Sequence, residues 1–299
     1  MKGIVLAGGT GSRLWPITKS VSKQLLPVYD KPMIYYPIST LMLAGIREIL
    51  IITTPDDQWA FKNLLGDGSN FGVSFTYVVQ AKPEGLAQAL IIGEEFLDGD
   101  SCLMILGDNI FHGAGLGHEL SRSLPSSGAH IFTYEVSNPS DYGVLELDEN
   151  QKPVSITEKP TTFISNLAVT GLYFFDHQAS NAAKAIKPSP RGELEITSLI
   201  EHYLRNQELT FTALTRGTAW LDTGNPNSLN DAAAFIRIIE ERTGLKIGCL
   251  EEIALEKKWI SRENFEEILL KMADNPYRTY LEKTLEKTMS EKQYFTKND

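Results

Sequence analysis

In the first third of the chain, short apolar runs alternate with amphipathic segments, and no other feature narrows the fold as far. Lys2–Ala7, Glu48–Thr53, 73–79 and 101–106 have strand length and apolar content, whereas 32–44, 56–65 and 85–97 carry apolar residues at helical spacing, with Gly45 and Gly66 as stops. Parallel strands joined by helical crossovers meet this pattern, with helices on both faces of one sheet. The expected fold is therefore α/β and Rossmann-like, with a mostly parallel central sheet flanked by helices. Ligands of such sheets gather outside the carboxyl ends of the strands. Leu6-Ala7-Gly8-Gly9-Thr10-Gly11-Ser12-Arg13 follows the first strand and Gly107-Asp108-Asn109 the fourth, so both motifs can face one cleft.

Glycines after a buried strand let backbone N–H groups approach phosphate oxygens with no Cβ in the way, and Arg13 adds a positive fork. Two better-known phosphate loops do not fit. Ser12 and Arg13 follow Gly11 where a Walker loop has Lys and Ser or Thr, and Leu14 stands where a dinucleotide fingerprint has its third glycine. On glycines alone, a tight turn that binds nothing is an equal reading.

A net charge of -10 and a pI near 5.1 argue against a general nucleic-acid binder, which needs an extended basic surface. They are compatible with an anionic substrate only where cations are local, as Arg13, Lys23 and Lys159 would be. Cys102 and Cys249 form neither a disulfide framework nor a metal-ligand pattern and read as core thiols of a reducing compartment. No stretch approaches the roughly 18 apolar residues of a membrane span, and the strand pattern starts without a signal-like segment, so the expected location is the cytoplasm. From Ala129 onward, 131–136, 144–147, 154–158 and 168–175 read as strands, with a turn at Asp148-Glu149-Asn150, and are expected to add β structure over the cleft. After Asp222 the pattern is helical: 229–242 closed by Gly244, 262–273 capped by Ser261, and a last helix from Pro276 to Lys287, with 290–299 expected to fray.

Several runs recur in order: Gly8-Gly9-Thr10-Gly11-Ser12-Arg13-Leu14, Ser22-Lys23-Gln24-Leu25-Leu26-Pro27-Val28, Lys31-Pro32-Met33-Ile34, Gln80, Gly85-Leu86-Ala87-Gln88-Ala89 and Leu106-Gly107-Asp108-Asn109. They continue with Glu158-Lys159-Pro160, Val169-Thr170-Gly171-Leu172-Tyr173, Arg191-Gly192-Glu193-Leu194-Glu195-Ile196-Thr197 and Trp220-Leu221-Asp222-Thr223-Gly224. Together they resemble the sugar-nucleotide pyrophosphorylases over most of the chain. The loop departs from the family only in the order of Thr10 and Ser12, and both supply a hydroxyl.

The resemblance implies a nucleotidyltransferase fold and a magnesium-dependent transfer of a thymidylyl group from dTTP to a sugar 1-phosphate. Glucose 1-phosphate is the expected acceptor, and dTDP-glucose and pyrophosphate the products, as the first step of dTDP-rhamnose-type deoxysugar synthesis. It assigns the nucleotide to Leu6, Gly8, Gly9, Thr10, Gly11, Ser12, Arg13, Lys23, Gln24, Gln80, Gly85, Leu86 and Asp108, with Gln80, Gly85 and Leu86 at the base. It assigns the sugar and its phosphate to Asn109, Tyr142, Gly143, Glu158, Lys159, Val169 and Arg191, magnesium to Asp108 and Asp222, and catalysis to Arg13, Lys23, Asp108 and Asp222. It divides the chain into a core over 1–225, with a nucleotide part over 1–128 and a sugar part over 129–225, and a helical region over 226–299 packed on it. It further implies a homotetramer with feedback at a second site, and no nucleic-acid or membrane partner.

The chemistry suits these residue types. A phosphate monoester has its second pKa at about 6, so the attacking oxygen is ionised at neutral pH and needs no general base. That agrees with five histidines, none in the recurring runs. The remaining obstacle is charge at the α-phosphorus and the departing pyrophosphate, which calls for cations, backbone donors and a metal. Read singly, Asp108 and Asp222 are more readily turn formers, Gln80 is more readily a polar residue ending a strand, and Glu158-Lys159 more readily a solvated pair. Three alternatives remain: a UTP-using uridylyltransferase, a non-catalytic sugar-nucleotide-binding regulator, and a nucleotide module of unrelated chemistry.

Overall fold

The computed structural model describes residues 1–9 and 11–295, with side chains through Lys287. The first part contains β1 (Lys2–Ala7), a small hairpin of β2 (Pro27–Val28) and β3 (Lys31–Pro32), α1 (Tyr35–Leu43), β4 (Glu48–Thr53), α2 (Gln58–Leu65), β5 (Ser74–Val79), α3 (Gln88–Ile92), α4 (Glu94–Leu97) and β6 (Cys102–Leu106). Then follow β7 (Asn109–His112), α5 (Leu116–Ser123), β8 (Ala129–Glu135), β9 (Gly143–Leu147), β10 (Pro153–Glu158), β11 (Leu167–Phe175), α6 (Ala179–Ala185), α7 (Ile196–Arg205), β12 (Leu209–Ala213) and β13 (Ala219–Asp222). The chain closes with α8 (Pro226–Thr243), α9 (Leu250–Glu256), α10 (Arg262–Lys271) and α11 (Pro276–Phe295).

A nine-stranded sheet runs in the order β10-β9-β11-β6-β1-β4-β5, with β8 joined to β11 and β12 to β8. β1 is parallel to β4 and β6, and β4 to β5. β11 is antiparallel to β6, β8 and β9, while β12 is parallel to β8 and β10 antiparallel to β9. It follows that β1, β4, β5, β6, β8, β9 and β12 point one way and β10 and β11 the other, so the sheet is mostly parallel.

β11 explains how the later strands reach the cleft. Its residues 172–175 lie along β6, and the part before them overhangs the carboxyl end of β6, where Ala168 pairs with Val144 of β9. β9 and β10 stand on that overhang. Gly143, Val169 and Glu158 are thereby carried above the ends of β1 and β6.

Alternation along the central strands feeds two cores. Val5, Ile49, Ile51, Leu103 and Ile105 face α1 and share their core with Leu250, Phe265 and Leu281 of the C-terminal helices. Ile4, Leu50, Ile52 and Met104 face the opposite way, towards Leu90, Ala183 and Leu199. α8 packs Ala232 and Ile236 on Val28, Met33, Tyr36 and Ile110.

Four local expectations change. The helix expected from residue 32 starts at Tyr35, because Lys31 and Pro32 pair with β2. The helix expected over 85–97 divides at Gly93, where a Cβ would lie 3.0 Å from the Ala89 carbonyl oxygen and 3.1 Å from Leu50. The helix expected at 229 begins at Pro226, since Asn225 and Ser228 form a reciprocal capping box. α5, α6, α7, α9, β7 and β12 have no counterpart in the sequence reading. The stops at Gly244 and the Ser261 cap are as expected. α11 continues to Phe295, and the rest of the segment expected to fray, 296–299, lies outside the described residues. No helix among the described residues is long and apolar enough to cross a membrane.

Candidate functional site

The loop after β1 is shaped by what surrounds its glycines. Leu6 is buried at the end of the strand. A Cβ on Gly8 would stand 2.8 Å from Gln80 Oε1, so the absent side chain leaves room for that amide. Gly9 and Gly11 have φ of 103° and 57°, the left-handed region where glycine is favoured. Thr18 Oγ1 donates to the Gly11 carbonyl at 2.8 Å. Ser12–Leu14 form a single tight helical turn in which Leu14 is buried and Ser12 and Arg13 are exposed. Thr10 lies outside the described residues. With Lys23, Gln24, Asp108 and Gly224 the loop lines a cavity of about 200 Å³. Gln24 is held inside it, accepting from Ser22 Oγ at 2.8 Å.

Asp108 and Asp222 meet because of strand register. Asp108 lies between β6 and β7, and β13 pairs antiparallel with β7 so that Asp222 stands opposite Asn109. Thr223 locks the crossing, its N–H and its Oγ1 donating to the Asp108 carbonyl at 3.2 and 2.8 Å. Lys23, 7% exposed, holds Asp108 Oδ2 at 2.6 Å, and Asn109 Nδ2 donates to Oδ1 at 2.9 Å. A Cβ on Gly224 would be 3.2 Å from both terminal nitrogens of Arg13 and from Asp222 Oδ2, so these groups converge there. Burial, and then the charge of Asp108, push the Asp222 carboxyl above the usual carboxylate range, against the pull of Lys23, Arg13 and the Gly224 N–H. Two carboxylates drawn together in a partly desolvated corner beside the glycine loop fit a hard divalent cation. Magnesium takes one or two carboxylates and completes its shell with phosphate oxygens and water. No group of three or more His, Cys, Asp or Glu suited to a metal occurs among the described residues.

Gln80 directly follows β5, its N–H donating to the Thr53 carbonyl at 2.8 Å. Its side-chain NH2 donates to Gln88 Oε1 at 2.6 Å and to the Gly85 carbonyl at 3.3 Å. Gly85 is obligatory on two counts: φ is 106°, and a Cβ would lie 2.3 Å from the Leu194 carbonyl oxygen. Around it Leu194 N–H bonds the Glu84 carbonyl and Ala87 N–H the Leu194 carbonyl, stitching this loop to the segment before α7. Leu86 packs half-buried on the core beside it.

A second cluster lies beyond Asn109. A Cβ on Gly143 would be 3.3 Å from Glu158 Oε2, 3.9 Å from Thr197 Oγ1 and 4.0 Å from Val169 Cβ, so these four residues bound one space. Thr197 donates to Glu158 at 2.9 Å. Lys159 is exposed, donates its backbone N–H to the Tyr142 carbonyl and has φ of 45°. A non-glycine residue held there costs on the order of 1–3 kcal/mol, a strain typical of functional segments. The Tyr142 and Trp220 rings lie 5.0 Å apart. The two clusters adjoin: the Tyr173 phenol is raised by burial and then by the charges of Glu158, Asp108 and Asp222 alike. Arg191 lies on an exposed loop, its pKa raised by a hydrogen bond to Glu195 and by the charges of Glu195, Glu193 and, least of these, Glu158.

The fold thus gathers Arg13, Lys23, Gln24, Asp108 and Asp222 at one end and Asn109, Tyr142, Gly143, Glu158 and Val169 beside them. Trp220, Thr197, Gly171, Gly224 and Gln88 also take part, and sequence reasoning assigned them no role. Each sits within a recurring run, but no spacing rule reveals a hydrogen bond between runs.

The family model described as "Nucleotidyl transferase" matches residues 2–239. A protein of Neisseria meningitidis named glucose-1-phosphate thymidylyltransferase is 55% identical over 288 residues, 96% of this chain and all of its own length. A protein of the same name from Xanthomonas campestris is 56% identical over 281 residues, 94% of this chain and 95% of its own. Among solved structures, a UDP-glucose pyrophosphorylase complexed with UDP-glucose aligns at a TM-score of 0.69 and 25% identity, covering 80% of this chain and 98% of that one.

Proposed function

The chain belongs to the nucleotidyl transferase family, and from that premise we propose how its cleft joins a nucleotide to a sugar phosphate. It is an enzyme that transfers a thymidylyl group to glucose 1-phosphate, making dTDP-glucose. One observation carries the residue assignment. Asp108, Asp222, Lys23 and Arg13 converge at the glycine loop, and Asn109, bonded to Asp108, also bonds Gly171 of β11, the strand that carries Val169 to the space it bounds with Gly143 and Glu158.

In this reading the phosphates of dTTP lie on the loop from Gly8 to Arg13, with Gln24 and Leu6 beneath. Gln80, braced by Gln88 and Gly85, meets the base, with Leu86 beside it. Glu158 and the Gly143 backbone take sugar hydroxyls, Val169 and Tyr142 wall the ring, and Lys159 holds the sugar phosphate, with Arg191 as a second cation. An ionised phosphate oxygen attacks the α-phosphorus of dTTP, the new P–O bond forms, and the bond to pyrophosphate breaks with the electron pair leaving on pyrophosphate. No residue removes a proton. Arg13 and Lys23 neutralise charge on the transferring and leaving phosphates. Asp108 and Asp222 would hold magnesium, which when bound offsets the negative charge of the two substrates. We extend the proposal to a core over 1–225 with a helical region over 226–299, and to a homotetramer working in the cytoplasm.

Pyrophosphate release over a panel of nucleoside triphosphates and sugar 1-phosphates tests the reading. Thymine and uracil share the hydrogen-bonding edge that Gln80 would meet, and a pocket that fills one methyl gains about 1–3 kcal/mol. The expected outcome is dTTP with glucose 1-phosphate best, UTP measurably used and purine nucleotides poor. Equal turnover with ATP would remove the base-reading role from Gln80.

A further inference from the structure

The strands carrying Asp108 and Asp222 are tied by side chains as well as by backbone. β7 and β13 pair with Asp222 opposite Asn109 and Trp220 opposite Phe111. Directly opposed residues share a face of an antiparallel pair, and diagonal neighbours lie within reach of a long side chain. Trp220 stands diagonal to Asn109, and its Nε1 donates to Asn109 Oδ1 at 2.6 Å. The Gly171 N–H is a second donor to the same oxygen at 3.2 Å, and a Cβ on Gly171 would come within 2.6 Å of the amide. With Oδ1 taking two donors, the amide has one satisfactory orientation, which turns Nδ2 to Asp108 Oδ1 at 2.9 Å. The flipped amide would set oxygen against a carboxylate and NH2 against two N–H groups. Lys23 fixes the other Asp108 oxygen.

We propose that Trp220 is a positioning residue for the cation site: its indole N–H, acting through Asn109, orients the Asp108 carboxylate from the strand that also carries Asp222. The inference rests on Asp108 and Asp222 being the cation ligands. Its physical basis is the rigidity that outer partners lend to a ligand; losing such a partner typically weakens metal affinity or activity by about 10–100-fold. Trp220 also packs on Tyr134 and Tyr142 at ring-centroid distances of 5.9 and 5.0 Å. Phe retains an aromatic ring for those contacts and removes the N–H together with part of the indole's bulk, so the comparison in the Asn109→Ala background isolates the hydrogen bond.

The test is a titration of the full chain with Mn²⁺ alone, free ion read by electron paramagnetic resonance, on the wild type, Trp220→Phe, Asn109→Ala, their double mutant and Asp222→Asn. Thermal melting checks folding. Trp220→Phe is expected to weaken Mn²⁺ binding by about tenfold, the lower end of the range for outer partners. The magnesium requirement of pyrophosphate release should rise in step, and the KM for glucose 1-phosphate should stay unchanged. In the Asn109→Ala background the same change should add nothing, because the two act as one unit. Unchanged Mn²⁺ binding by Asp222→Asn would overturn the cation site itself. Loss of binding in Asp222→Asn but not in Trp220→Phe, or a Trp220→Phe defect confined to the sugar-phosphate KM, would overturn the positioning role alone. The wild type supplies a further reading. With ¹⁵N-labelled tryptophan, Mg²⁺ should move the indole signal that is missing from Trp220→Phe; that variant makes the assignment, because Trp15 and Trp59 are 68% and 75% exposed but Trp259 is half-buried as Trp220 is. Absence of any such movement would count against the proposal.

Discussion

At the glycine-loop end of the cleft, Lys23 is nearly buried and already bonded to Asp108, and Asp222 is pressed into the same small space. At the other end Glu158 and Lys159 are exposed, and Arg191 projects from a loop. The first arrangement is rigid and electrostatically costly, and its groups are placed before substrate arrives. Preorganised charge of that kind acts most strongly where charge develops in a reaction. The second arrangement keeps its groups in water, where an ion pair gains little until a ligand displaces the solvent. Under the proposed function, the first group is expected to set turnover and the second to set binding.

The most severe way to break that contrast is to neutralise the two half-buried carboxylates. Asp222→Asn and Asp108→Asn are each expected to lower turnover by on the order of 10²–10³. Their stabilities should diverge. Asp222→Asn relieves like-charge repulsion and should melt at the wild-type temperature or above it, whereas Asp108→Asn leaves the buried Lys23 without its partner and should melt lower. A folded Asp222→Asn protein with near-normal turnover would make that residue a turn former.

Exchanging one lysine at each end sharpens the contrast. Lys23→Ala should lower turnover by roughly 10², with a small change in apparent substrate affinity, while Lys159→Ala should raise the KM for glucose 1-phosphate roughly tenfold and spare turnover. Steady-state kinetics with each substrate varied in turn gives the answer, and matching profiles for the two variants would dissolve the distinction.

The smallest expected effect lies outside both ends. His130 is buried on β8 with its ring nitrogens bonded to Thr210 and Thr212 of β12, and burial pushes its pKa down to about 4. The unfolded chain takes up that proton near pH 6.5, so the folded state is fully favoured above pH 6.5 and loses stability as the pH falls towards 4. The loss at pH 5 is about 2 kcal/mol. Urea unfolding at pH 7 and pH 5 should show it, and His130→Gln should flatten the slope. An unchanged slope would place the acid sensitivity elsewhere, the paired charges of the cleft included.

Much of this architecture is legible in the residues. Short apolar runs set between helical patterns placed the four parallel strands β1, β4, β5 and β6, because each pattern is a local property of a few consecutive side chains. Gly244 and Ser261 marked helix ends for equally local reasons, a left-handed stop and a side-chain cap. The glycine loop and the two aspartates announced themselves as runs. What those runs could not specify was company. Asp222 faces Asp108 only because β13 pairs with β7 in one register; Thr197 reaches Glu158 only because α7 packs beside β10; and Asn109 collects Trp220 and Gly171 from two distant segments beside its own neighbour Asp108. The division at Gly93 follows likewise from how closely that helix approaches Leu50 and Ile4. Local sequence biases backbone angles and exposes a residue's chemistry, but strand register between distant segments, and the loss of water that raises Asp222 and lowers His130, arise only when the whole chain packs.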